Sequence, residues 1–155
     1  MFESDVDPIY AEAHGGFAIL LARAGQGALR TVEAELRPFG VSATQYVVLL
    51  RLDERGDATA GRLVRECDID SGAMSRLLDR LEALHLLERS PDAADRRVTR
   101  IALSTKGRTL LPALRAAVLR VQSALALRQS GADLARFRGY LGRTLRNAAL
   151  AQVPA

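Results

Sequence analysis

Apolar side chains first recur near helical spacing between residues 10 and 36, at Phe17, Leu20, Leu21, Ala24, Val32 and Leu36, and "RPFG" stops the run with Pro38 and Gly40. This spacing predicts a long first helix, loosened by Gly25 and Gly27. The stretch "SATQYVVLLRLDERG" opens on Ser42, a helix-capping residue type, gathers Tyr46, Leu49, Leu50 and Leu52, and ends at Gly56, which predicts a second helix. "DATAGRLVREC" predicts a short third one with Ala60, Leu63 and Val64 as its apolar side. In "IDSGAMSRLLDRLEALHLL", Asp70 has the chemistry of an N-cap, and Met74, Leu77, Leu78, Leu81 and Leu84 form an i, i+3, i+4, i+7 stripe. Its opposite face carries Ser71, Ser75, Arg76, Asp79 and Arg80, so this helix rests on the domain and presents its N-terminal end outward.

After Leu87 the period changes. "LERS" and "VTRIALS" alternate or carry β-branched residues, and "PDAADRR" between them is turn chemistry, which predicts two short strands with a charged tip. From Thr105 the helical period returns: Leu110, Leu114, Val118, Val121 and Leu125 mark one long helix, "QSGAD" breaks it, and Leu134, Phe137, Leu141, Leu145 and Ala148 mark a last one. The order is that of a mainly α fold, a winged helix-turn-helix with a two-stranded β wing, flanked by N- and C-terminal dimerisation helices. The outer helices carry more apolar surface than a small winged domain can cover, which argues for a homodimer; folding back onto the winged unit as a monomer is the alternative.

Composition narrows the function classes. At 155 residues, with 48% apolar and 26% charged positions, the chain is expected to form one soluble unit. No run approaches a membrane span, and "MFESDVDPIY" is acidic where a secretory signal would be basic, so the expected location is cytoplasmic, with no membrane partner. The lone Cys67 excludes an internal disulfide and a multi-thiolate zinc site. Two histidines far apart, no glycine-rich phosphate loop and no acidic pair with a partner base argue against an enzyme, and no metal or cofactor is expected. The net charge of +4 is unevenly spread: residues 105–155 hold eight arginines and Lys106 against Asp133 alone, whereas residues 57–104 hold eight arginines against nine acids. A basic balance suits a polyanion partner, or an arginine-rich solvated face.

The segment 42–107 resembles the MarR family of winged helix-turn-helix transcriptional regulators. The likeness rests on "SATQYVVLLRL", on "AGRLVRECDIDSGAMSRLLDRLEALHLLER" as the helix-turn-helix, on "PDAADRR" as the wing tip and on "ALSTKG" as the strand that launches the next helix. The resemblance implies that helices at 8–37 and 105–150 dimerise within a single chain unit, 1–155, and that 42–104 is the DNA-binding lobe. It also implies that the two recognition helices of the dimer enter successive major grooves while the wings reach the flanking minor grooves.

On that reading Ser71, Gly72 and Ala73 let the helix N-terminus approach base edges and phosphates, Ser75 meets either base type, and Arg76 forks onto a guanine or clamps a phosphate, with Arg80 behind it. Arg97 enters the minor groove, Asp95 orients it, and Arg96 meets the backbone. The competing reading pairs Arg76 and Arg80 with Asp79 and Glu82 in a solvated face, and makes Asp95 and Arg97 an ordinary turn salt bridge. One departure is visible: His85 stands where the family usually has a glycine to end the recognition helix.

The family commonly senses small molecules, often aromatic or phenolic acids, between its dimerisation helices and DNA-binding lobe. Candidates here are His14, Phe17 and Arg23 on the first helix and Gln45 and Tyr46 on the second, each also readable as a packing residue. Cys67 falls in the turn of the helix-turn-helix without a visible thiolate-stabilising neighbour. The expected function is repression by occupying a pseudo-palindromic operator in double-stranded DNA, with half-sites roughly 10 bp apart. The alternative is a winged-helix protein-interaction adaptor that docks through its basic C-terminal helix.

Overall fold

The computed structural model describes residues 16–151. The elements run α1 (Gly16–Leu36), a 3₁₀ turn (Arg37–Phe39), α2 (Ala43–Arg55), β1 (Asp57–Ala58), α3 (Ala60–Cys67), α4 (Ser71–Ala83), β2 (Leu87–Pro91), β3 (Thr99–Leu103), α5 (Thr105–Leu125) and α6 (Gly131–Ala151). The expected start of the first helix, residues 8–15, lies outside the described residues. The chain divides into two compact units, one reaching to Val121 and the other starting at Gln122. Among the described residues no helix is long and apolar enough to cross a membrane.

Helix starts follow the local chemistry read from the sequence. Ser42 and Gln45 form a reciprocal capping box at α2, and Glu33 of α1 accepts the Ala43 N–H at 2.9 Å, tying the two helices together. Thr59 caps α3, and Asp70 caps α4 through the Ala73 N–H at 2.8 Å. The α4 stripe divides as its spacing requires: Met74, Leu78 and Leu81 are buried, Leu77 and Leu84 half-buried. These pack into one core with Val48, Leu49 and Leu52 of α2, Leu63 of α3, Ile101 and Leu103 of β3, and Leu111 and Leu114 of α5.

The wing hairpin has a third strand beside it. β3 lies between β2 and β1, all antiparallel, with Leu87 opposite Leu103, Arg89 opposite Ile101, and Asp57 opposite Ala102. "DATAGRLVREC" therefore splits into a two-residue strand, the Thr59 cap and a helix. A strand this short shows no alternation, and only its pairing with β3 defines it.

Helix α4 ends at a tight joint. His85 takes the left-handed conformation at φ 57°, its N–H donates to the Glu82 carbonyl at 2.8 Å, and the Leu86 N–H reaches back to Leu81 at 2.9 Å. This double closure is the one glycine usually permits, and it places Leu86 in the core. The next residues of the motif "STKG" grip this turn. Ser104 donates its hydroxyl to the His85 carbonyl at 2.6 Å and accepts the Gly107 N–H at 3.0 Å, while Lys106 Nζ donates to the Leu84 carbonyl at 2.8 Å. A Cβ on Gly107 would overlap the Leu86 carbonyl oxygen, so the first turn of α5 needs a glycine at this position. Gly107→Ala is expected to cost about 2–3 kcal/mol of folding stability, as overpacking against backbone does; a lowered urea midpoint measures it, and an unchanged midpoint would contradict the close approach.

Candidate nucleic-acid interface

The first turn of α4 carries only small side chains past its cap: Ser71 and Gly72 are exposed and Ala73 is half-buried. A Cβ at Gly72 would lie 3.3 Å from Asp70 Oδ1 and 3.6 Å from Arg76 Nη1, which puts the Arg76 guanidinium back along the helix toward its N-terminus. Ser75, Arg76 and Arg80 are exposed on the same helix. The unpaired N–H groups and positive dipole end of the helix thus meet a cation and two hydroxyls on an open surface, an arrangement suited to anionic groups.

The pairing of Arg76 and Arg80 with Asp79 and Glu82 does not form. Arg89 of β2 takes both acids instead, with Nη2 2.7 Å from Asp79 Oδ1 and Nη1 3.1 Å from Glu82 Oε2. Arg76 and Arg80 have no ion-pair or side-chain hydrogen-bond partner among the described residues, and the same holds for Arg96. No local pattern signals Arg89, because it lies ten positions from Asp79 and meets it only when the wing folds against the helix.

The wing tip is organised by a residue that periodicity did not single out. Asp92 Oδ1 accepts the Ala94 and Asp95 N–H groups at 2.8 and 3.1 Å, and its Oδ2 accepts Arg100 Nε. Arg100 also reaches Asp57 of β1 at 3.2 Å, so one guanidinium joins the tip to the third strand. Asp92 followed by two alanines has the side-chain-to-backbone turn chemistry that could have marked it. Beyond this base, Asp95 holds Arg97 in a two-point pair, Nε to Oδ1 and Nη2 to Oδ2 both at 3.1 Å, and also accepts the Arg97 N–H at 3.0 Å. The Arg97 side chain nonetheless stays 91% exposed. It is a salt bridge of the tip that leaves the guanidinium projecting into solvent.

The residues expected to hold a small acid differ in their surroundings. A cavity of about 260 Å³ between the end of α1 and the start of α2 is lined by Glu33, Arg37, Gly40, Val41, Ser42 and Gln45. Of the expected set only Gln45 lines it, and its side-chain oxygen already accepts the Ser42 N–H at 2.9 Å. Phe17 is 65% exposed, Arg23 is exposed on α1, and Tyr46 is buried, with its hydroxyl pKa raised by burial. His14 lies outside the described residues. Burial also raises the Cys67 thiol, outweighing the charge of nearby Arg51 and keeping it protonated. Among the described residues no cluster of three or more His, Cys, Asp or Glu side chains could hold a metal ion.

Residues 39–98 match the model of the MarR family. The chain is 36% identical over 76 residues to the uncharacterized HTH-type transcriptional regulator YsmB of Bacillus subtilis, spanning 49% of this chain and 52% of that protein. It thus spans about half the length of such relatives. Among solved structures, a MarR mutant from E. coli complexed with operator DNA superposes with a TM-score of 0.76 at 25% identity, over 83% of this chain and 92% of that one. BpsR of Bordetella bronchiseptica, whose DNA binding is regulated by 6-hydroxynicotinic acid, superposes with a TM-score of 0.72 at 25% identity, over 88% and 94%.

The wing network carries a pH signature. The Arg100 hydrogen bond first, and the Ala94 and Asp95 amides next, hold Asp92 at about 2; Arg97 and its own amide hold Asp95 below the usual aspartate range. Because the folded state depresses these pKa values, their stabilisation is present above about pH 4, the unfolded value, and is lost as pH falls toward 2. The Asp92 carboxyl carbon resonance is expected to titrate near pH 2 and that of an exposed aspartate near pH 4; a midpoint near 4 for Asp92 would remove the network from solution.

Proposed function

We propose that the winged helix-turn-helix whose residues 39–98 match the MarR family model makes the protein a member of that family and a sequence-specific DNA-binding transcriptional regulator. The observation that carries the reading is the joint presentation of two cationic elements. One is the open first turn of α4 with unpaired Arg76 and Arg80; the other is a wing tip that holds Arg97 at both ends of a carboxylate while exposing it.

Helix α4 enters the major groove. Ser71, Gly72 and Ala73 give it close approach, Ser75 and Arg76 read base edges, and Arg80 contacts phosphate. The wing follows the backbone with Arg96 and inserts Arg97 into the minor groove, where narrow A·T-rich sequence deepens the negative potential; Asp95 sets the angle of insertion. A cytoplasmic homodimer would repeat these contacts on a pseudo-palindrome and repress by occluding a promoter. Apolar side chains left exposed support the dimer: Phe17 and Leu29 on α1, Leu119 on α5, and Phe137 and Leu145 on α6. A small aromatic acid is the proposed effector, on the example of BpsR.

The adaptor reading would need exposed apolar side chains on α4 and the wing, and the exposed residues there include Ser71, Ser75, Arg76, Arg80, Arg96 and Arg97. Fluorescence anisotropy on a duplex from the region upstream of the coding sequence, against a scrambled duplex, decides between them. Preferred binding to the first duplex is expected, weakening as salt rises, with Arg97→Ala losing about tenfold more. Binding to neither duplex would favour the adaptor. Sedimentation is expected to give a dimer; a monomer at micromolar concentration would overturn the two-fold operator.

A further inference from the structure

We propose that Arg89 is a positioning residue for DNA recognition, which keeps the cations of α4 free by occupying its acids; the proposal rests on the DNA-binding reading above.

Helix α4 carries two cations, Arg76 and Arg80, and two anions, Asp79 and Glu82, so taken alone it presents no net charge to a phosphate backbone. Residues three positions apart on a helix are neighbours, and Asp79 is therefore within ordinary reach of Arg76. That pair is absent because Asp79 is already engaged. Arg89 spans from β2 and gives one terminal nitrogen to each acid, at 2.7 Å to Asp79 and 3.1 Å to Glu82. The planar guanidinium suits this task, since it can meet two carboxylates on successive turns at once, whereas an ammonium is a single point charge.

The side chain is also braced. Arg89 shares the lining of a cavity of about 320 Å³ with Met74, Leu78 and Ile101, and its side chain is about two-thirds buried. With its charge matched by two carboxylates, Arg89 is a poor candidate for a phosphate contact of its own. Its effect on DNA passes through Arg76. The same contacts fix the spacing of β2 from the recognition helix, so one residue of the wing sets both the charge and the place of the major-groove element.

The test uses four full-length proteins: wild type, Arg89→Met, Asp79→Asn and the double variant. Arg89→Met is expected to release Asp79 to Arg76, weakening binding to the upstream duplex about tenfold and lowering the slope of affinity against salt by about one contact. Adding Asp79→Asn removes the competitor and is expected to restore affinity to within about threefold of wild type. That gain is several times larger than Asp79→Asn alone gives in the wild-type background, where Arg89 already holds the acid; equal gains in the two backgrounds would overturn the proposal. A double variant as weak as Arg89→Met would overturn the proposal. A DNA-free arm follows the Arg76 Nε–Hε resonance, expected to shift in Arg89→Met and return in the double variant. A resonance that ignores Arg89→Met overturns the proposal whatever the DNA result. Wild-type protein that binds no duplex overturns the DNA-binding reading instead, and the Arg76 resonance then still reports whether Arg89 governs the ion pair.

Discussion

The approach of the Gly107 backbone to the Leu86 carbonyl is the constraint from which the rest of the winged helix-turn-helix lobe follows. Three elements meet there: the end of α4, the start of β2 and the start of α5. The last carbonyls of a helix lack partners and carry its negative dipole end. Lys106 and Ser104 supply a cation and a hydroxyl to the Leu84 and His85 carbonyls, and Ser104 simultaneously caps the new helix. The corner therefore satisfies one helix end and one helix start with the same few residues. Beyond it, α5 buries Leu111, Leu114 and Ala117 in the core. The corner thus ties the start of α5 to the end of α4 through backbone contact and three hydrogen bonds.

Charge is arranged on that frame in two kinds of place. Some arginines are consumed in holding the wing, Arg89 against α4 and Arg100 between Asp92 and Asp57. Others are left over, namely Arg76, Arg80 and Arg96, with Arg97 paired yet exposed. Surface ion pairs add little to stability, so the value of the first group lies in geometry. It gathers the acids of a nearly neutral segment onto structural partners and leaves the unpaired cations on α4 and at the wing tip.

Much of this was legible in the sequence, for physical reasons that differ by element. Helices with a clear period and a cap were readable: Ser42 and Asp70 both cap where their chemistry places them, and the α4 stripe buries its predicted face. His85 stands where the MarR resemblance places a glycine, and it takes the left-handed conformation a glycine would take there. Strand β1 was not, since two residues carry no alternation. Nor was Arg89, whose partners lie on another element, so the alternative pairing of Arg76 and Arg80 with Asp79 and Glu82 stayed open on spacing alone. The expected effector set was legible only as chemistry, for a related reason. Gln45, Tyr46, Phe17 and Arg23 have suitable chemistry, but a pocket is a tertiary property, and the fold commits Gln45 to a helix cap and leaves Phe17 exposed.

The central claim is that the first turn of α4 and the wing tip engage the same duplex in different grooves. Footprinting the protein on its upstream DNA with two reagents tests this most directly. Dimethyl sulfate reports guanine N7 in the major groove, and hydroxyl radicals report sugars along the minor groove. The account predicts major-groove protection in each half-site flanked by separate minor-groove protection on its outer side. Major-groove protection with unprotected flanking minor grooves would contradict it, leaving the wing without a role in binding.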